Sequence, residues 1–194
     1  MQSYFFEASP LAIAYFSALL FLGNSDKIRA VTIAVAVHEV SHLLALSFFN
    51  CRIFSVKLRL NGLCIGYTGN DRPFEVIFSD LAGPLGGLLF FLLGKLCTDC
   101  ILPEWLLMSC RISLFLSIFN LLPVYPLDGG NAVKTFLESL SEKNEKEQII
   151  KCFGAVFAVG LIFWGLFCMM INSGFGISLA GIWILCANIS TDDL

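Results

Sequence analysis

Two histidines stand four residues apart with a glutamate beside the first: His38, Glu39 and His42. The chain contains no other histidine. On a helix, positions i and i+4 stack on one face about 6 Å apart, so two neutral imidazoles there can share one metal ion with the glutamate alongside. The pattern reads as a zinc site. A tetrahedral zinc of the hydrolytic kind takes three protein ligands and keeps a fourth position for water. With both histidines used, the third donor must be a carboxylate or a thiolate, and one carboxylate stands out. Asp128 lies in Asn120-Leu121-Leu122-Pro123-Val124-Tyr125-Pro126-Leu127-Asp128-Gly129-Gly130. Pro123 and Pro126 cannot continue a helix, and irregular backbone in a membrane is tolerated only where it lines a protein-enclosed or watered cavity. Gly129 and Gly130 read as turn backbone able to aim the carboxylate inward.

The surroundings of these residues are apolar. Hydrophobic residues make up 57% of the 194 positions and charged ones 14%, and the mean hydropathy is +0.82. Such a chain is predicted to be an all-α polytopic membrane protein. Apolar stretches cover residues 10–22, 28–49, 75–96, 105–125, 149–171 and 174–187, giving about six transmembrane helices. A carboxylate at the centre of such a helix costs about 2.5–3.5 kcal/mol even on the lenient insertion scale, so a His-Glu-His trio there is by default a functional site. The segment before residue 10 carries Glu7 and no Lys or Arg, unlike a cleavable signal.

If all six stretches cross, Lys and Arg can be counted on each side. One side holds Arg52, Lys57, Arg59, Arg72, Lys134, Lys143, Lys146 and Lys151; the other holds Lys27, Arg29 and Lys95. The positive-inside rule then places both termini in the cytoplasm. Arg111, inside the fourth stretch, is expected to snorkel or face the bundle. Depth supports the pairing of the two motifs. His42 lies ten residues before Arg52, about 15 Å of helix from the cytoplasmic edge, and Asp128 falls on the same side.

Between the second and third stretches the period changes. Residues 53–60 and 63–67 alternate around Asn61-Gly62, the strongest short-range hairpin signal. A small interfacial β-hairpin is therefore expected, either as packing or as an edge for an extended substrate. Residues 134–151 carry Glu138, Glu142, Lys143, Glu145, Lys146 and Glu147 with Phe136, Leu137 and Leu140 at helical spacing, which reads as a surface helix and connector. No repeat or linker interrupts the chain, so residues 1–194 read as a single transmembrane domain with its core at residues 28–130.

Read together, these motifs resemble the site-2 protease family of intramembrane zinc metalloproteases. The resemblance rests on His38-Glu39-Val40-Ser41-His42, on the Asn, Pro, Pro and Leu-Asp-Gly arrangement of residues 120–130, and on Ala82-Gly83-Pro84. It implies one zinc per chain held by His38, His42 and Asp128, with Glu39 as catalytic base and Asn120 near the substrate. It is most similar to the branch containing the stage IV sporulation protein FB, which cleaves membrane-tethered pro-sigma factors. The implied setting is the bacterial cytoplasmic membrane, with the active site opening to the cytoplasm. The implied partners are the lipid bilayer, a membrane-tethered protein substrate and membrane regulatory proteins; no nucleic acid is expected. The chain departs from the family pattern at Leu85-Gly86-Gly87, where many members place an Asn shortly after Gly-Pro, and at Asn131, where a basic residue often follows the double Gly. No appended regulatory domain and no PDZ insertion is expected.

Plainer readings stand beside these. Asn120 could instead make a helix-helix hydrogen bond of about 0.6 kcal/mol. Gly83, Gly86 and Gly87 read as close-packing positions, and Asp80 as an interfacial carboxylate reached by water. Of the eight cysteines, Cys97 and Cys100 form a C-x-x-C on the outer side that could close a disulfide in an oxidising compartment. The others read as buried small apolar residues. A metal transporter would need several polar helices along a path, whereas here the ionisable groups gather at one depth. A non-catalytic membrane adaptor would be marked by loss of Glu39 or a ligand, and all four residues are present.

Overall fold

The computed structural model describes residues 5–8, 25–59, 62–69, 72–97, 102–140, 143–170 and 176–189. It divides into two compact units, residues 1–119 and 120–194, each described here by itself.

In the first unit, helix α1 spans Ser25–Phe48. Its 24 residues reach about 36 Å, enough to cross a hydrocarbon core of about 30 Å. One face is lined by small buried residues, Ala30 and Ala34, and continues through His38 to Ala45. The rest of its surface is apolar too, with Val40 49%, Leu44 65% and Phe48 78% exposed. A helix apolar on all sides suits lipid contact rather than a water-facing surface. The helix stops where Asn50 turns left-handed at φ 54°. The Cys51 N–H donates to Leu46 O at 3.0 Å and the Asn50 N–H to Ser47 O at 3.0 Å, the paired bonds of a Schellman cap. That cap turns the chain straight into the sheet.

Strands β1 (Phe5–Ala8), β2 (Arg52–Arg59) and β3 (Gly62–Thr68) form one sheet in the order β1-β2-β3. β2 and β3 pair antiparallel, Val56 opposite Ile65 and Leu58 opposite Leu63, as the alternating pattern predicts; Asn61 of the expected turn lies outside the described residues. The expected two-stranded hairpin is extended by β1, which runs parallel to β2 with Phe5 opposite Ser55 and Ala8 opposite Leu58. Parallel pairing needs no tight turn, so no local signal announces it. β2 is the central strand, bonded on both sides.

Helix α2 spans Pro73–Leu96, with Pro73 in its first turn and Pro84 inside it. Helix α3 spans Glu104–Asn120. Glycines bring α2 close to both neighbours: a Cβ on Gly83 would overlap His42 and one on Gly86 would overlap Ser41, both on α1. Gly87 meets Ser113 and Ser117 of α3, and Gly94 meets Cys110. Ser109, Ser113 and Ser117 form the buried stripe of α3, and the Ser113 hydroxyl donates to Gly87 O at 3.2 Å. Small residues and hydroxyl hydrogen bonds are how helices associate where lipid removes the hydrophobic drive. At the other end of the unit, Arg29 pairs with Asp26 and lies 5.5 Å from the centre of the Trp105 ring.

In the second unit, residues 121–127 form a non-helical turn, followed by α4 (Asp128–Leu140), α5 (Lys143–Met170) and α6 (Gly176–Ile189). Helices α5 and α6 approach closely at Gly165, where a Cβ would meet Ser178, and at Gly181, where one would meet Ile162 and the Ala158 carbonyl. Thus the protein is mostly helical, with six helices among the described residues. Two of them, α1 and α2, are long and apolar enough to cross a membrane. Five of the six apolar stretches correspond to helices; residues 10–22 lie outside the described set. Cys152 on α5 and Cys186 on α6 are exposed rather than buried, on helix surfaces where apolar neighbours such as Phe153, Val156 and Ile182 also face outward.

Candidate metal centre

Helix α1 places both histidines on its buried face. His38 is 6% exposed and His42, one turn on, is half-buried. Their rings meet edge to face, with centroids 4.9 Å apart and planes at 80°. The two Nε2 atoms stand 3.3 Å apart. Two nitrogens bound to one tetrahedral zinc at about 2.0–2.1 Å are separated by about 3.3–3.4 Å. The pair therefore already has the spacing of two ligands on one ion.

The other nitrogen of His42 fixes its tautomer. Nδ1 lies 2.7 Å from the carbonyl oxygen of Ser79, and a carbonyl only accepts, so Nδ1 carries the proton and Nε2 presents its lone pair. Metal-binding histidines are held in this way, the far N–H given to a carbonyl or carboxylate that fixes the ring. Two imidazole nitrogens at this spacing, with the His42 lone pair fixed, fit zinc. Glu39 follows His38 on the same turn and is half-buried.

Asn120 and Asp128 belong to the second unit. Asn120 ends α3 and is half-buried. Pro123 and Pro126 keep the chain out of helix after it, and the Tyr125–Pro126 peptide is cis. The turn is held by Val124 N–H to Leu122 O at 2.8 Å and Leu127 N–H to Val124 O at 2.9 Å. Val124 and Leu127 are buried. Asp128 opens α4, where the aligned peptide dipoles favour a carboxylate, and the Asn131 N–H donates to Leu127 O at 2.9 Å.

Gly129 and Gly130 depart from the expected turn. Both are buried in the first turn of α4. A Cβ on Gly129 would lie 2.6 Å from the Leu121 carbonyl carbon and 2.7 Å from Leu122 O, and one on Gly130 would overlap the Val124 main chain. The pair is used for its missing side chains, which let the preceding loop cross the helix start.

Sequence reasoning missed Ser79, whose carbonyl orients His42. It lies 37 residues away on another helix, and no local pattern joins them. Asp80 beside it is half-buried and contributes to a cluster at the sheet end of α1 and α2. Burial raises the Tyr67 phenol above its ordinary pKa, with the charges of Asp80 and Cys51 adding. Burial likewise pushes the Cys51 thiol up, with Glu75 adding. Arg111 is exposed on α3, and Cys97 is exposed at the end of α2; its expected partner Cys100 lies outside the described residues.

The family model of Peptidase family M50 matches residues 76–162, a span that includes Gly83, Asn120 and Asp128; His38 and His42 precede it. The chain is 30% identical over 123 residues to a Synechocystis sp. protein described as "Putative zinc metalloprotease sll0528". That match takes in 60% of this chain and 32% of the Synechocystis protein, so it spans about one third of its relative. Among solved structures, the chain is similar to the site-2 protease from Methanocaldococcus jannaschii, with a TM-score of 0.70 at 19% identity. The likeness covers 93% of this chain and 85% of that one and shows a shared fold. The family model and the Synechocystis relative thus both point to a metallopeptidase of family M50, and the structural likeness adds the fold.

Proposed function

We propose that this chain is an intramembrane zinc metalloprotease that hydrolyses a peptide bond in or near a transmembrane segment of a membrane-tethered protein. The fragment released is cytoplasmic, a transcription or sigma factor being the class that the stage IV sporulation protein FB branch suggests. The observation that carries the reading is the His38–His42 pair, whose Nε2 atoms stand 3.3 Å apart with the His42 ring held by Ser79 O. We assign the ligands as His38, His42 and Asp128, two imidazoles and a carboxylate, a set that suits one zinc and leaves one position open. A zinc ion bound there supplies Lewis acidity, lowering the pKa of water toward about 7 and polarising a peptide carbonyl.

The residues then divide the work. Glu39 takes the proton of the attacking water and returns it to the leaving amine, base first and acid second. Asn120 hydrogen-bonds the main chain of the bound segment. A peptide bond inside a helix is shielded by its own hydrogen bonds, so the substrate must become extended before attack, and an open strand edge can hold it so. β2 is bonded on both sides. We assign the substrate edge to β3, which leads directly into α2 and Ser79. The site opens to the cytoplasm, both termini lie there, and the whole forms one domain with its core at residues 28–130.

The test is cleavage by purified protein of single-span membrane proteins, with and without a zinc chelator, beside the Glu39→Gln variant. Cleavage that stops with the chelator and with Glu39→Gln is expected. Cleavage that continues in both would refute the reading.

A further inference from the structure

We infer that the Gly83-Pro84 step of α2 is a positioning device for His42, a seat without which this histidine does not hold its metal-binding orientation. The inference rests on the metal-site reading above and concerns residues that are not themselves ligands.

Three observations converge on one turn of α2. A Cβ on Gly83 would stand 2.7 Å from both Cδ2 and Cε1 of His42, closer still to Nε2, so the imidazole lies directly on the glycine backbone. The Ser79 carbonyl one turn earlier receives the His42 Nδ1–H at 2.7 Å. Pro84 lies buried inside the same helix. Proline has no N–H to give the carbonyl four residues before it, here Asp80, and its ring crowds that carbonyl and opens the turn. Ser79 O, which reaches across to α1, lies one residue before that carbonyl. Gly83 clears the space for the ring and Ser79 O sets its rotation, so Nε2 is left directed at His38 Nε2.

The other glycines of α2 do different work. Gly86 meets Ser41, while Gly87 and Gly94 meet serine or cysteine side chains on α3. Only Gly83 touches an imidazole. An added methyl at Gly94 therefore wedges helices apart as one at Gly83 does, without touching His42. That makes Gly94→Ala the control for packing damage.

The experiment measures Zn2+ affinity by competition with a chromophoric chelator, and the d–d bands of the Co2+-loaded protein, in the full chain in detergent. Folding is followed by gel filtration and circular dichroism. Gly83→Ala is expected to weaken Zn2+ binding about 10–100-fold, the usual effect of losing an outer partner of a ligand, and to shift the Co2+ bands, while Gly94→Ala stays within about twofold. In a His42→Ala background Gly83→Ala should cause no further loss, because its target is gone. Parental affinity in folded Gly83→Ala overturns the inference, as does an equal loss with and without His42. Should Gly83→Ala fail to fold, Pro84→Ala adds no bulk and restores the N–H that proline lacks; unchanged affinity and Co2+ bands there also overturn it. A parent chain that takes up no metal, or a His42→Ala chain that binds as the parent does, removes the metal reading itself. Metal lost on His42→Ala but kept on Gly83→Ala removes only the seat.

Discussion

The glycine pair after Asp128 gives a sharp test of how this site is built. A methyl at Gly129 would lie 2.6 Å from the Leu121 carbonyl carbon and 2.7 Å from Leu122 O, where ordinary contact begins at 3.4 Å. The Leu121 carbonyl oxygen is closer still, so main-chain atoms must retreat by about 1 Å, and overpacking of this kind costs about 1–3 kcal/mol. The loop that must move contains Pro123 and Pro126, whose φ angles are fixed, and it buries Val124 and Leu127, so the upper end, about 3 kcal/mol, is expected. Gly160, in α5, has nothing within 4 Å of a built Cβ, so Gly160→Ala should instead stabilise by about 0.5–1 kcal/mol. The two single-methyl variants should thus differ by about 3.5–4 kcal/mol, several hundredfold in the unfolding constant. Titration with a denaturing detergent in mixed micelles measures this. Zinc content gives a second reading, since Asp128 adjoins the displaced residue and a zinc–oxygen bond of about 2.0–2.2 Å does not stretch to follow it. A Gly129→Ala protein as stable as its parent and fully loaded with zinc would show that the loop does not cross the helix start as described.

Purified protein should contain about one zinc per chain, and His38→Ala, His42→Ala or Asp128→Ala should lower that content; full occupancy in Asp128→Ala would strike it from the ligand set. Glu39→Gln should keep the metal and slow cleavage about 10²–10⁴-fold, since it loses only the proton acceptor; a near-parental rate would mean that another group is the base. Tyr67 has a raised pKa in the folded chain, so its neutral form is the one folding favours. Its contribution is fully present below the unfolded value of about 10 and is lost as pH rises through the higher folded value. Unfolding followed between neutral and strongly alkaline pH should therefore show a fall in stability above about pH 10 that Tyr67→Phe flattens. An identical alkaline fall in that variant would assign it to other groups.

The parts of the site that sequence disclosed are those carried by short-range periodicity. The spacing of His38 and His42 places both on one face of a helix, and the structure seats both on the inner face of α1. Pro123 ends the fourth apolar stretch early, and α3 stops at Asn120. The alternation of residues 53–67 gives β2 and β3 in the expected antiparallel pairing. In each case the deciding physics acts within a few residues: a helical repeat, a missing N–H, a pleat.

What stayed hidden depends on partners distant in sequence or on which property of a residue is used. Phe5–Ala8 is too short to show a period, and its place beside β2 is chosen by pairing across about fifty residues of chain. That pairing closes the second edge of β2 and leaves β1 and β3 as the edges of the sheet. Glycine offers both an unrestricted φ and an absent side chain, and sequence does not tell which is in use. At Gly129 and Gly130 the turn reading took the first property, while the chain uses the second. Gly83 was legible as a close-packing residue, but not that the group packed on it is the imidazole of His42. The same holds for Ser79, where the donor is a peptide carbonyl and the side chain is irrelevant. A site can thus have ligands legible from spacing while the groups that aim them are backbone atoms. For this chain the His42 ring is held by Ser79 O and packed on Gly83, both on α2, so the geometry of the proposed metal site depends on how closely two helices approach, and the residues that permit that approach are glycines.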